Sequence, residues 1–264
     1  MSDAQKYSSK LHASRILIIG GSSGIGYAVA EACLESGARV AISSSNPQRV
    51  ESALSSLQSS YPSKKSHIHG LTVDLSKPDT LESELEQILQ GAAQKLGQNG
   101  KLDHVVFTAG DALAEIKLPD MTYKNVVAAG QVRFFAPLLL AKFLPQCLED
   151  TYKSSYTITT GSISEHTIPN WSVIASYAGG HHSMVRNLAL DMKPIRVSYW
   201  FLCGFWYLAN LDAGQWCFSG CGGYAVVEDA GGGEGENARF VCEEIDDGEA
   251  GAGGGCGGEL YGGY

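Results

Sequence analysis

The chain has 264 residues, 44% of them hydrophobic, and a formal net charge of -9 with an isoelectric point near 5.2. That length suits one large α/β domain and is short for two, and the acidic balance argues against a polyanionic partner such as nucleic acid, which needs a basic surface. Seven cysteines, an odd number, fit reduced thiols better than a disulfide framework. Residues 1–13 form a polar tail without the apolar stretch of a secretion signal, and no run reaches the length needed to cross a bilayer. A cytoplasmic protein with no membrane partner is expected.

The first element is an apolar strand, Arg15 to Ile19, followed by the turn Gly20-Gly21-Ser22-Ser23-Gly24-Ile25-Gly26 and a helix that continues through Tyr27 and Ala32. Gly20, Gly24 and Gly26 permit a tight turn and let the backbone approach a pyrophosphate, which would rest on the open N–H groups at the positive end of the helix. Gly20, Ser22, Ser23, Gly24, Ile25 and Gly26 are therefore the candidate phosphate cradle of a dinucleotide.

Three residues separate the first two motif glycines and one separates the last two. This spacing closely resembles the TGxxxGIG signature of the short-chain dehydrogenase/reductase superfamily. The resemblance implies a doubly wound parallel sheet of Rossmann type, formed as a single domain over residues 14–198, with a nicotinamide cofactor. Ile19 stands where the family usually has Thr, so one side-chain hydrogen bond near the turn is expected to be lost.

Strand two, Gly37 to Ser43, leads into Ser44-Ser45-Asn46, with Arg49 one helical turn further on. An acidic residue here would hold the ribose hydroxyl of NAD and repel a 2′-phosphate; Ser44, Ser45, Asn46 and Arg49 instead offer hydroxyls and a cation, which favours NADP(H). The same Ser and Asn residues also suit the cap of a helix beginning near Pro47, and the two roles are compatible. Strand three, Ser66 to Val73, ends in Asp74-Leu75, and the resemblance places Asp74 against the adenine amino group. A helix follows from about Thr80 to Leu96, stopped by Gly97-Gln98-Asn99-Gly100. Strand four, Leu102 to Thr108, ends in Phe107-Thr108-Ala109-Gly110, where the family has Asn-Asn-Ala-Gly, so Ala109 and Gly110 keep the close approach to the cofactor.

Tyr123 to Leu148 reads as one long helix with a broad apolar face. In the family this helix helps form subunit contacts, which implies a homo-oligomer. The family's catalytic Asn falls at Ala129 or Gly130, neither of which replaces it. Arg133 is a cation on an otherwise apolar stretch, either a structural ion-pair partner or a group that reaches a cofactor phosphate or an active-site carboxylate.

Strand five, Tyr156 to Ser162, puts Ser162 at the family's catalytic serine. The next helix ends in Arg186-Asn187-Leu188-Ala189-Leu190-Asp191, and counting back from that block places the catalytic Tyr and Lys at Ile174 and Ala178. If Tyr177 is the tyrosine, the lysine position is His181. Either way the Tyr-x-x-x-Lys pair is broken, although its purpose is clear: the ammonium lowers the phenol pKa so that it can protonate a developing alkoxide. Hydride transfer to an iminium cation makes a neutral amine and needs no such acid. An anion near the substrate cation helps instead. Asp111 or Glu165 is placed to provide it and Trp171 to offer an aromatic face; the alternative is that both carboxylates are solvated loop residues.

The runs Thr160 to Ser164, Ile168 to Ser172 and Lys193 to Val197 are similar to the fungal secondary-metabolism branch of the superfamily. That branch includes NADPH-dependent reductases of prenylated indole alkaloid pathways that reduce an iminium and guide a Diels–Alder cyclisation. The implied function is hydride transfer from NADPH to an iminium-like or conjugated small-molecule substrate. The alternatives are a non-redox cyclase that keeps NADPH as part of its pocket and an inactive product of an altered reading frame.

The tail, residues 199–264, departs from this pattern. From residue 201 onward lie 18 of the 32 glycines, five of the seven cysteines, a single basic residue and no proline. Stretches such as 231–236 and 251–258 carry too little apolar content to offset ordering entropy, so disorder and a missing or distorted last strand are expected. A reading-frame change or a mis-spliced gene model near residue 198 is the expected cause. A metal site from Cys203, Cys217, Cys221, Cys242 and Cys256 is the competing idea, but the spacing matches no common zinc pattern, and no metal is expected.

Overall fold

The computed structural model of the chain describes residues 10–97, 99–202, 225–228 and 239–242. Its sheet is built from β1 (Arg15–Ile19), β2 (Arg39–Ser44), β3 (Ile68–Thr72), β4 (His104–Phe107), β5 (Ser155–Gly161) and β6 (Arg196–Leu202). The order is β3-β2-β1-β4-β5-β6, and every pairing is parallel. In β1, Ile16, Leu17, Ile18 and Ile19 are at most 1% exposed, as a parallel strand covered on both faces requires.

Those four residues divide between two cores. Ile16 and Ile18 face α1 (Gly24–Glu35) and α2 (Pro47–Ser60) through Ala30, Cys33, Leu34, Ala53 and Leu57. Leu17 and Ile19 face α3 (Leu81–Leu96), whose Leu81, Leu85, Ile88, Leu89, Ala92 and Leu96 recur at helical spacing. Each such buried leucine contributes about 1.5–3 kcal/mol by leaving water. The doubly wound sheet expected from the sequence is therefore present.

The long helix expected over residues 123–148 runs without a gap only to Leu140 and carries a π turn, and this is a correction. The segment is α4 (Tyr123–Gly130), a π-helical turn at Gln131–Phe135, α5 (Ala136–Leu140) and α6 (Leu144–Cys147). Pro137 and Pro145 lack the N–H that a continuous helix needs and crowd the preceding turn. A further helix, α7 (Ser172–Asp191), packs on the same side as α3 through Met184, Val185 and Ala189.

β6 runs past Ser198, with Trp200 opposite Thr159 and Leu202 opposite Gly161, so it spans the 198/199 boundary suggested by composition. A small antiparallel pair, β7 (Ala225–Glu228) and β8 (Arg239–Cys242), forms a second, two-stranded sheet. The glycine-rich stretches 231–236 and 251–258 lie outside the described residues, as do Cys203, Cys217, Cys221 and Cys256. The expectations of disorder and of a cysteine metal site fall there.

Candidate active site

The order β3-β2-β1-β4-β5-β6 reverses between β1 and β4, which opens a crevice at the carboxyl ends of those strands. The glycine turn stands there. Gly20 has φ +91, and a Cβ on it would lie 2.5 Å from the Ala109 amide nitrogen. A Cβ on Gly26 would collide with the Gly20 carbonyl and Thr108 Oγ1. These positions demand glycine for space as well as conformation. Thr108 Oγ1 donates to the Ile19 carbonyl at 3.1 Å. A side-chain hydrogen bond thus reaches the end of β1 from the residue after β4.

The start of α1 fits an anion. Its first turn has no acidic residue, and Ser23, the N-cap, makes no side-chain hydrogen bond to the helix, so the amide ends are left for a ligand. Beside it lies a pocket of about 470 Å³ lined by Ser22, Ser23, Tyr27, Arg49, Ser52, Ala53 and Ser56. It offers hydroxyls from both helices and one guanidinium, the donor set that a phosphate monoester needs. A nicotinamide dinucleotide fits the glycine turn and these residues.

Asn46, in contrast, serves the helix cap: its Oδ1 accepts from Gln48 N at 2.9 Å and Arg49 N at 3.2 Å. Ser44 Oγ accepts from the Asn46 amide at 3.5 Å, and neither Ser44, exposed Ser45 nor Asn46 lines the pocket. Asp74 is also locally engaged. It accepts from Ser76 N and Oγ at 3.0 and 2.6 Å and pairs with Lys77 at 3.4 Å. The Ser76 bonds hold its carboxyl below the usual carboxylate range. Buried Leu75 accepts from Gln131 Nε2 through its carbonyl at 3.3 Å.

On the other side of the crevice, three residues come together. Arg133 Nε donates to Asp111 Oδ1 at 3.1 Å, and Nη2 donates to the Asp111 carbonyl. A Cβ on Gly110 would lie 2.6 Å from Arg133 Nη1. The guanidinium therefore covers Gly110 directly and fixes the carboxylate beside it. Both partners are partly exposed, 33% and 40% by side chain, so their value is orientation more than stability.

Ser162 opens a short turn after β5, Glu165 is exposed three residues on, and half-buried Trp171 stands just before α7. Among the described residues no hydrogen bond joins their side chains to Asp111. Their loop is nevertheless tied to the one carrying Asp111: Ile116 N donates to the Asn170 carbonyl at 3.2 Å, and Asn170 Nδ2 to Glu115 at 3.4 Å.

The face of α7 turned to α4 holds the residues that bear on proton transfer. Ile174 and Ala178 are buried. The Tyr177 hydroxyl donates to the Val126 carbonyl at 2.9 Å, and its ring fills the space that a Cβ on Gly130 would take. Burial raises the Tyr177 pKa. His181 Nε2 lies 2.8 Å from the Arg133 carbonyl. Neither Tyr177 nor His181 presents a free acid. Sequence reading missed Tyr27, Ser52 and Ser56; the signal was available for the serines, which fall at helical spacing from Arg49.

The family described as the SDR-like Rossmann domain matches residues 7–204. The chain belongs to the short-chain dehydrogenase/reductase family. It is a family of oxidoreductases whose Rossmann fold binds nicotinamide cofactors. The chain is 48% identical over 199 residues to the short-chain dehydrogenase/reductase fsr5 of Gibberella fujikuroi, covering 75% of this chain and 74% of that one. It is 43% identical over 183 residues to the short-chain dehydrogenase/reductase ATR9 of Stachybotrys chlorohalonatus, covering 69% and 70%. The solved structure of the MalC reductase/Diels-Alderase from Malbranchea aurantiaca superposes with a TM-score of 0.68 at 38% identity, covering 74% of each chain. The NADP-bound C-domain of a bacterial malonyl-CoA reductase, at 18% identity and a TM-score of 0.64, shares the fold over 75% of this chain and 30% of that one. Among the described residues no helix is long and apolar enough to cross a membrane, and no cluster of side chains could hold a metal ion.

Proposed function

We propose that the protein is an NADPH-dependent reductase of fungal secondary metabolism that transfers hydride to an iminium-like or conjugated electrophile, in an alkaloid pathway. The observation that carries this reading is the Asp111–Arg133 pair over Gly110, set opposite a helix face on which the Tyr177 hydroxyl is tied to a backbone carbonyl. NADPH, when bound, supplies the hydride. The iminium carbon accepts it while the C=N electron pair returns to nitrogen, so the product is a neutral amine and no proton donor is required. Asp111, held by Arg133, presents negative charge to the substrate cation; Trp171 offers an aromatic face to the same cation. Ser162 and Glu165 border the substrate space from the neighbouring loop.

Preference for NADPH is supported by the pocket of Ser22, Ser23, Tyr27, Arg49, Ser52 and Ser56. Titration calorimetry on the full chain tests it. NADPH is expected to bind at least about tenfold more tightly than NADH, a difference of about 1.4 kcal/mol, and Arg49→Ala is expected to remove most of that preference. Equal binding of both nucleotides refutes it. A second reading, a cyclase that holds NADPH as part of its pocket, is favoured by the likeness to a reductase/Diels-Alderase; cyclised product without NADPH oxidation would establish it. The reading includes a homo-oligomer assembled through the 123–148 segment and a cytoplasmic location.

A further inference from the structure

The π-helical turn at Gln131–Phe135 has a cause in the sequence. In an α-helix the Arg133 carbonyl would accept from the amide of residue 137, but that residue is Pro137 and carries no N–H. A partly buried carbonyl left without a donor is costly. His181, from α7, fills the place: Nε2 lies 2.8 Å from the Arg133 carbonyl and the residue is 4% exposed. Because a carbonyl oxygen only accepts, Nε2 carries the hydrogen. Nδ1 is then the bare nitrogen, 3.4 Å from Thr160 Oγ1, and the ring stacks on Phe134 at a centroid distance of 5.6 Å. Burial favours this neutral form by lowering the His181 pKa. Tyr177, one turn earlier on the same face, grips the Val126 carbonyl in the same way.

We propose that His181 is a positioning residue: its Nε2–H stands in for the amide that Pro137 lacks, holds the π turn, and so keeps the Arg133 guanidinium against Gly110 and Asp111. The geometry makes this specific. Arg133 lies inside the turn, and each residue of a helix rotates about 100° from the last, so relaxing the turn carries the guanidinium away from Gly110. The catalytic consequence rests on the reading of Asp111 and Arg133 as part of the reacting site.

The test uses the full-length chain, with the Arg133 Nε–H nuclear magnetic resonance signal assigned by its disappearance in Arg133→Lys. The slowly exchanging signal is expected in the wild type and in His181→Gln, whose amide reaches the same carbonyl. It is expected to be lost in His181→Leu and in Pro137→Ala, where a helix amide becomes available to Arg133 and the turn relaxes. With NADPH and an iminium substrate, kcat should fall about tenfold in the two variants that lose the signal, with KM for NADPH unchanged and activity rescued in His181→Gln. Pro137→Ala removes a helix-breaking residue and is the arm that stays folded if His181→Leu does not. Persistence of the signal in Pro137→Ala, or in a folded His181→Leu, overturns the positioning role. If the signal responds as expected while no protein, wild type included, oxidises NADPH, the positioning role stands and the reductase reading fails by itself.

Discussion

Asp111 and Arg133 stand 22 positions apart, yet their side chains meet at 3.1 Å beside the carboxyl end of β4. Replacing Asp111 by Asn keeps the shape and one acceptor for Arg133 but removes the negative charge. On the proposed chemistry, kcat for an iminium should fall at least about tenfold, or about 1.4 kcal/mol in barrier, while NADPH affinity changes less than about twofold. Stopped-flow absorbance of NADPH in single turnover separates the two. An unchanged hydride-transfer rate would remove Asp111 from the chemistry. Both residues were legible as candidates in the sequence, one as a loop carboxylate and the other as a cation on an apolar stretch. Their pairing was not, because it depends on a backbone turn that Pro137 creates and His181 completes. Thr108 shows the same limit: only the strand register reveals that its hydroxyl reaches the Ile19 carbonyl.

At the scale of elements, one arginine fastens the amino edge of the sheet. Arg15, the first residue of β1, gives Nε and Nη2 to Asp103 at 2.8 Å each, Nη2 to Glu149 at 2.8 Å and Nη1 to Asn99 at 2.5 Å. It ties the approach to β4 and the segment after α6 to the central strand. Burial pushes the Asp103 pKa up, but the bonds from Arg15 outweigh it and hold the carboxyl below its ordinary value. The sign follows from linkage: the stabilisation is complete above the unfolded value near ~3.9 and is lost as pH falls through the lower folded value. Asp103→Asn should therefore cost about 2 kcal/mol at neutral pH, with the gap from wild type closing below about pH 4. Urea unfolding across that range measures it; a gap independent of pH would assign the loss to packing instead of charge. The elements themselves were mostly readable, since apolar runs and helical spacing mark β1 and α3 directly. The 123–148 segment was read as more regular than it is, because its apolar periodicity continues through Pro137 and Pro145, while the missing amide donors accompany a π turn before the first and an interruption before the second.

Across the whole molecule, the position of the site follows from topology. A parallel sheet that reverses its order between β1 and β4 brings the glycine turn, Ala109 and Gly110 to one crevice; the glycine spacing pointed to the turn, and the resemblance to the family's Asn-Asn-Ala-Gly to Ala109 and Gly110. The far half of the sheet is less regular. β5 alternates between buried and half-buried positions, with Thr157 bonded to Ser198 and Ser155 to His104 across the strands. Such alternation sets one fully buried face of β5 against one that is only half-buried. The proposed homo-oligomer can be tested at the surface beside the π turn. A groove of about 400 Å³ between the π turn with α5 and α7 is lined by Phe134, Leu138, Gly180, Met184 and Leu188, with Ser183, Asn187 and Asp191 also in its wall. Leu138 is 41% exposed and nearby Leu190 47%, more apolar surface than one helix pair needs to show water. An apolar groove with a polar rim suits an isologous contact, in which each copy sets its Leu138 into the other's groove. Light scattering after gel filtration should give a dimer or a higher multiple for the wild type, and Leu138→Glu should give the monomer with NADPH binding retained, because the new carboxylate would be buried unpaired only in the assembled form. A monomeric wild type at micromolar concentration, or an unchanged mass in the variant, would place the subunit contact elsewhere or nowhere.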